Sequence, residues 1–182
     1  DEVTGELRSA AKAVNFGIVY GISDFGLARN LDIPVKRASE YIKLYFERYP
    51  GVKAYLDRSV EEAKRTGYAV TMFGRRRAMT ELKSSNYNTR SFGERVAMNM
   101  PIQGTAADII KLAMVRVGKM LEDRGLKAKL ILQVHDELIF DTPREEADEV
   151  VALVHDCMEH VAEFSVLLDA DVKVGHSWYE TK

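Results

Sequence analysis

Cysteine is almost absent from this chain. Cys157 is the only one in 182 residues, which rules out an internal disulfide and predicts a reducing, cytoplasmic setting. No apolar run approaches the roughly 20 residues needed to span a bilayer, and no leader pattern opens the sequence, so no membrane partner is expected. An initiating Met is missing too, and the start at DEVTGELR suggests a piece excised from something longer. Only four prolines and one tryptophan occur. There is no repeat, low-complexity tract or flexible linker.

What is present is ordinary in bulk: 46% hydrophobic and 30% charged residues, as in globular proteins generally. The net charge of −2 hides an asymmetry. Residues 1–80 carry 14 Lys+Arg against 10 Asp+Glu, whereas residues 81–182 carry 12 against 18. The first part can meet phosphates; the second can supply carboxylates to a metal or a solvated outer face.

Thr4 is a candidate N-cap, with Glu6 in the first turn, for a helix ending near Tyr20 at Gly21. The stretch ISDFGLARNLDI reads as turn-rich, and Pro34 as the first turn of a helix to Tyr49. Pro50-Gly51 breaks that pattern, and another helix is predicted from Val52 to about Arg65, stopped by Gly67. Tyr68–Phe73 and Arg77–Met79 around Gly74-Arg75-Arg76 predict a hairpin with a basic tip, where phosphate contact and a solvated loop explain the charge about equally. A long helix from about Thr89 to Asp123 should kink or divide at Pro101 and close at Gly125. A hairpin at 129–141, a helix from about Pro143 to Phe164 and a final strand in LLDADVKVG complete the reading. Helices first, then strands with helices, indicate an α+β fold.

Arg8, Lys12, Phe16 and Tyr20 recur every fourth residue, ahead of Gly21. Residues so spaced share one helix side, giving a ridge that runs from cationic to aromatic. A nucleoside triphosphate has the same polarity: phosphate oxygens accept from Arg and Lys, and a base stacks on an aromatic face. The plain alternative is a solvated basic face with Phe16 in the core.

The spacing R-x3-K-x3-F/Y-x3-Y-G resembles the fingers helix of family A DNA polymerases, and all five positions match. The resemblance implies that Arg8 and Lys12 hold the triphosphate, with Lys12 also protonating pyrophosphate. It implies that Phe16 packs against sugar and base, disfavouring dideoxynucleotides, and that Tyr20 sits beside the templating base.

Two more stretches extend it. In LILQVHDELIF, two strands would flank His135-Asp136, a poor hairpin dipeptide because tight turns prefer Gly and Asn; a carboxylate at such an apex suggests chemistry. Gln133 to Glu137 match the family's Q-V-H-D-E, which implies that Asp136 ligates a catalytic metal, that Glu137 assists, and that His135 and Gln133 approach DNA. Arg95, Asn99 and Gln103, again four apart, match residues facing the minor groove of the new duplex, where Asn and Gln can sense pair shape without reading sequence. The second Val-His-Asp, at 154–156, reads as helix surface. Trp178 and Met98, Met100, Met114 and Met120 read as packing.

The resemblance spans the chain and implies the fingers subdomain at 1–80, the C-terminal part of the palm at 81–182, and a bacterial, nucleoid-associated polymerase. Its reaction would be dNTP transfer onto a primer 3′-OH using two Mg2+ ions. Primer-template DNA and dNTP would be its ligands. The family's upstream D-Y-S-Q-I-E-L-R strand, with the second metal-bridging Asp, does not occur here. The chain alone is therefore expected to be inactive and to need the upstream polymerase segment as partner. The rival readings are a non-catalytic nucleic-acid-binding module and, more remotely, a His-Asp metal phosphohydrolase.

Overall fold

The computed structural model describes residues 3–181, the Glu6 side chain excepted; the expected contribution of Glu6 to the first helical turn lies outside the described residues. The chain divides by packing into two compact units, which part between Thr105 and Ala106.

In the first unit, α1 runs Gly5–Val19, with the Thr4 hydroxyl accepting from Leu7 N at 3.2 Å and Tyr20 closing it. Gly21 follows with φ +68°, a region that L side chains enter only with strain. The stretch read as turn-rich is instead a helix, α2 (Asp24–Leu31). Ser23 caps it, accepting from Gly26 N at 3.1 Å, and Leu27 and Ala28 are buried against Ala38. Burying a leucine contributes about 1.5–3 kcal/mol, more than the roughly 1 kcal/mol that Gly26 costs in a helix. Helix α3 (Val35–Arg48) begins one residue after Pro34, which is its N-cap. Helix α4 (Pro50–Thr66) takes Pro50 as its first residue and does not wait for Val52; a proline there gives up no helical donor. Gly67 ends it at φ +82°.

The basic hairpin is shorter than expected: β1 (Tyr68–Val70) pairs antiparallel with β2 (Arg76–Ala78), so Arg76 is in a strand. A 3-10 turn at Thr80–Lys83 leads to α5 (Tyr87–Asp123), which neither stops nor divides at Pro101. The Thr105 hydroxyl donates to the Pro101 carbonyl and accepts from Met72 N at 3.0 Å. Val60, Ala63, Met79, Leu82 and Ala97 form this end's core, with Met98 and Met100 packed on it.

In the second unit, the C-terminal part of α5 ends before Gly125 (φ +65°). Strands β3 (Lys129–Val134) and β4 (Glu137–Asp141) form an antiparallel hairpin with an irregularity between Leu130 and Leu132. Both Glu146 oxygens accept from Lys127 N (3.1 and 2.8 Å), and Oε2 also takes Ala128 N at 3.1 Å. The next helix is shorter than read: a 3-10 turn at Arg144–Glu146, then α6 (Ala147–Glu159). Val117, Leu121, Val150, Leu153, Val154 and Cys157 are its core. LLDADVKVG, residues 167–175, is not a strand. Its alternation has no neighbouring ladder to join among the described residues, and Val166, Leu167 and Val174 are exposed. The overall α+β character stands, with helices dominant and two small antiparallel sheets among the described residues.

Candidate functional site

Local capping fixes the ridge. Because α1 is continuous from Gly5 to Val19, Arg8, Lys12, Phe16 and Tyr20 follow one another along one side, and all four are exposed. Among the described residues neither cation has an ion-pair partner. Phe16 is 52% exposed and lies nearly parallel to Tyr20, their centroids 6.2 Å apart at 14°. Two parallel, half-open rings offer a face to a flat ligand rather than a core filling.

Tyr20 links this ridge to the third motif. A cleft of about 480 Å3 is lined by Phe16, Gly17, Tyr20, Gly21, Asn30 and Arg95. A second, of about 390 Å3, is lined by Tyr20, Arg77, Phe92, Arg95, Asn99 and Gln103. Tyr20 and Arg95 thus belong to both. The approach is close because Gly21 has no side chain: a Cβ there would meet Arg95 Cγ at 3.0 Å and Met98 Sδ at 3.1 Å. The Arg95 guanidinium is steadied by Ser91 Oγ at 3.1 Å, and Asn99 Oδ1 is buried without a hydrogen-bond partner. A buried acceptor without a donor is costly, and in a cleft it marks a place where a ligand can satisfy it.

The acidic turn is built differently. His135 has φ +53°, a left-handed conformation that is uncommon outside glycine and that histidine, asparagine and aspartate enter more readily than other side chains. Gln133 Nε2 donates to the His135 carbonyl at 2.7 Å and so braces the turn from its own strand. His135, Asp136 and Glu137 are all exposed. Asp136 has no partner among the described residues, while Glu137 Oε2 accepts from Trp178 Nε1 at 3.3 Å. Trp178, read from sequence as packing, is therefore also a partner of the turn, and no local signal announced it over 41 residues. Carboxylate oxygens suit a hard divalent ion. Yet no group of three or more His, Cys, Asp or Glu gathers among the described residues, so this donor set does not enclose a metal by itself.

The second Val-His-Asp is helix surface. His155 and Asp156 are exposed on α6, and Asp156 faces Arg116 at 3.5 Å and His160 at 3.2 Å. Cys157 beside it is buried, which pushes its thiol up against the opposing pull of Arg116. A thiol kept protonated is a poor nucleophile.

The model of DNA polymerase family A matches residues 1–180. The chain belongs to DNA polymerase family A. Members of this family are generally dependent on a divalent metal. DNA polymerase I of Caldicellulosiruptor bescii is 55% identical over 181 residues, covering all of this chain and 21% of the relative. DNA polymerase I of Bacillus subtilis is 55% identical over 182 residues, with the same shares. This family A chain therefore spans about a fifth of the length of these relatives. Among solved structures it is similar to the POL domain of Pol1 from M. smegmatis in complex with DNA primer-template and dNTP. That likeness has TM-score 0.89 at 45% identity, covering 93% of this chain and 30% of the other. No described helix is long and apolar enough to cross a membrane.

Proposed function

We propose that this chain supplies the incoming-nucleotide helix and the C-terminal part of the palm of a DNA-directed DNA polymerase. Residues 1–80 act as fingers and residues 81–182 as palm. In the reaction the primer 3′-oxygen bonds to the α-phosphorus of a dNTP. The bond from that phosphorus to its bridging oxygen breaks, and pyrophosphate leaves. Arg8 and Lys12 hold the triphosphate tail as charge-assisted donors, and Lys12 gives a proton to the leaving pyrophosphate. Phe16 packs against sugar and base, and Tyr20 stands beside the templating base. Arg95, Asn99 and Gln103 face the minor groove of the growing duplex, with Gln133 and His135 near the primer end.

The observation that carries this reading is the double membership of Tyr20. The last residue of the nucleotide ridge lines one cleft with Phe16 and another with Asn99 and Gln103. A surface that joins a triphosphate ridge to a pair-sensing row is what templated addition requires.

Asp136, with Glu137 assisting, contributes one side of the metal site, and the remaining ligands come from an upstream polymerase segment in the same or a complementary chain. The chemistry supplied by two bound Mg2+ ions is activation of the 3′-hydroxyl and neutralisation of pyrophosphate. The assembled enzyme works on primer-template DNA in the bacterial cytoplasm.

The test is reconstitution. The chain is mixed with a purified upstream segment bearing the D-Y-S-Q-I-E-L-R strand, labelled primer-template, dNTPs and Mg2+. Extension is expected with both parts and with neither alone. Lys12→Ala should slow turnover about 100-fold, as loss of a general acid does, while leaving primer-template affinity near its original value. No extension from the mixture would reduce the chain to a nucleic-acid-binding module.

A further inference from the structure

The β1–β2 hairpin carries Arg75, Arg76 and Arg77 in a row, and they do not share one task. Arg76 lies over the Tyr68 ring at 5.3 Å, which holds its charge along the strand. Arg77 instead lines the cleft that contains Tyr20, Asn99 and Gln103. One of its N–H groups meets Glu81 Oε1 at 3.3 Å.

Glu81 is an unusual partner. Its side chain is 22% exposed against 46% for Arg77, and its second oxygen, Oε2, is buried with no hydrogen-bond partner. Exposed ion pairs contribute little to stability, and a buried oxygen without a donor costs more than that. Fold stability therefore does not explain the pair. Packing fixes the root of this side chain: a Cβ on Gly93 would stand 2.9 Å from Glu81 Cβ and 3.1 Å from Leu82 N. The backbone and Cβ of Glu81 are thus seated against α5, and from that base its Oε1 meets the guanidinium.

We infer that Arg77 contacts a DNA backbone phosphate beside the base pair faced by Asn99 and Gln103, and that Glu81 is its positioning residue. This rests on the polymerase reading above. Neutral amides suit base edges, whereas a guanidinium suits phosphate oxygens. Arginine has five N–H donors, so the bond to Glu81 leaves a fork free for a second anion. Fixing a long side chain before DNA arrives removes part of the ordering cost of binding.

The experiment measures affinity of the complete chain for a fluorescent primer-template across a salt series, by anisotropy. Arg77→Ala should weaken binding and reduce the slope of log affinity against log salt by about one, the mark of one lost phosphate contact. Glu81→Ala should weaken binding about two- to tenfold with the slope unchanged, the cost of one unrestrained side chain. The sign decides the matter, because removing a negative charge near DNA would by electrostatics alone tighten binding. Glu81→Gln keeps the shape and an acceptor oxygen and should recover most of the loss. In the Arg77→Ala background, Glu81→Ala should add nothing. Tighter binding by Glu81→Ala, an additive loss, or an unchanged slope for Arg77→Ala would overturn the inference alone. A wild-type chain that ignores primer-template at low salt would overturn the polymerase reading and this inference with it.

Discussion

The ridge on α1 and the acidic turn at 135–136 carry functional side chains by opposite means. The ridge is regular helix: its cap, spacing and stop all lie within residues 4–21, and among the described residues its two rings stack only on each other and its two cations have no ion-pair partner. The turn is irregular. A histidine with φ +53° is braced by Gln133, and the neighbouring Glu137 is held by a tryptophan 41 residues away. A helix can display a long, graded surface to a long ligand at little conformational cost. A single carboxylate needs to be held at one point, and the chain accepts local strain to do so. The ridge should therefore tolerate change in graded steps, and the turn should not.

Asp136→Ala is the sharpest test and should have the largest effect. Reconstituted extension should fall by roughly 1000-fold or more, beyond the 100- to 1000-fold cost of one lost charge-stabilising donor, with circular dichroism unchanged. A loss of tenfold or less would put the turn on the same graded footing as the ridge. Glu146→Ala tests the scaffold under the turn. It removes a charged acceptor of two backbone N–H groups and should destabilise by about 1.5–3 kcal/mol, read as a lower denaturant midpoint. An unchanged midpoint would show that the hairpin holds itself. Phe16→Tyr should have the smallest energetic effect, since the ring is half-exposed and room exists for a hydroxyl. Its consequence is selective: the reconstituted enzyme should accept dideoxynucleotide terminators more readily, at nearly unchanged dNTP turnover. Equal terminator use by both versions would remove Phe16 from the sugar.

Much of this contrast was legible in the residues. Thr4, the four-residue spacing and Gly21 located α1 to within a residue, because every signal was local. Gly67 closed α4 for the same reason, whereas Pro50, read as a break ahead of a start at Val52, is the first residue of that helix. Helix α2 was not legible, because Gly26 and the polar residues around it have turn chemistry; the helix forms because Leu27 and Ala28 find a buried place against Ala38. The opposite holds at 167–175, where alternation reads as a strand but a strand also needs a partner ladder. At the site, the residue types were readable and their neighbours were not. The contact of Gly21 with Arg95, the grip of Trp178 on Glu137 and the pairing of Arg77 with a half-buried Glu81 depend on chain segments meeting in space.

The bonds from Glu146 have a consequence for the order of assembly. The carboxylate that pins the backbone of Lys127 and Ala128, just ahead of β3, lies 19 and 18 residues further along the chain. During synthesis, both strands and the turn between them are made before that anchor exists. The hairpin can close early, but the segment leading into it is fastened only afterwards, when the residue opening the way into α6 has been added.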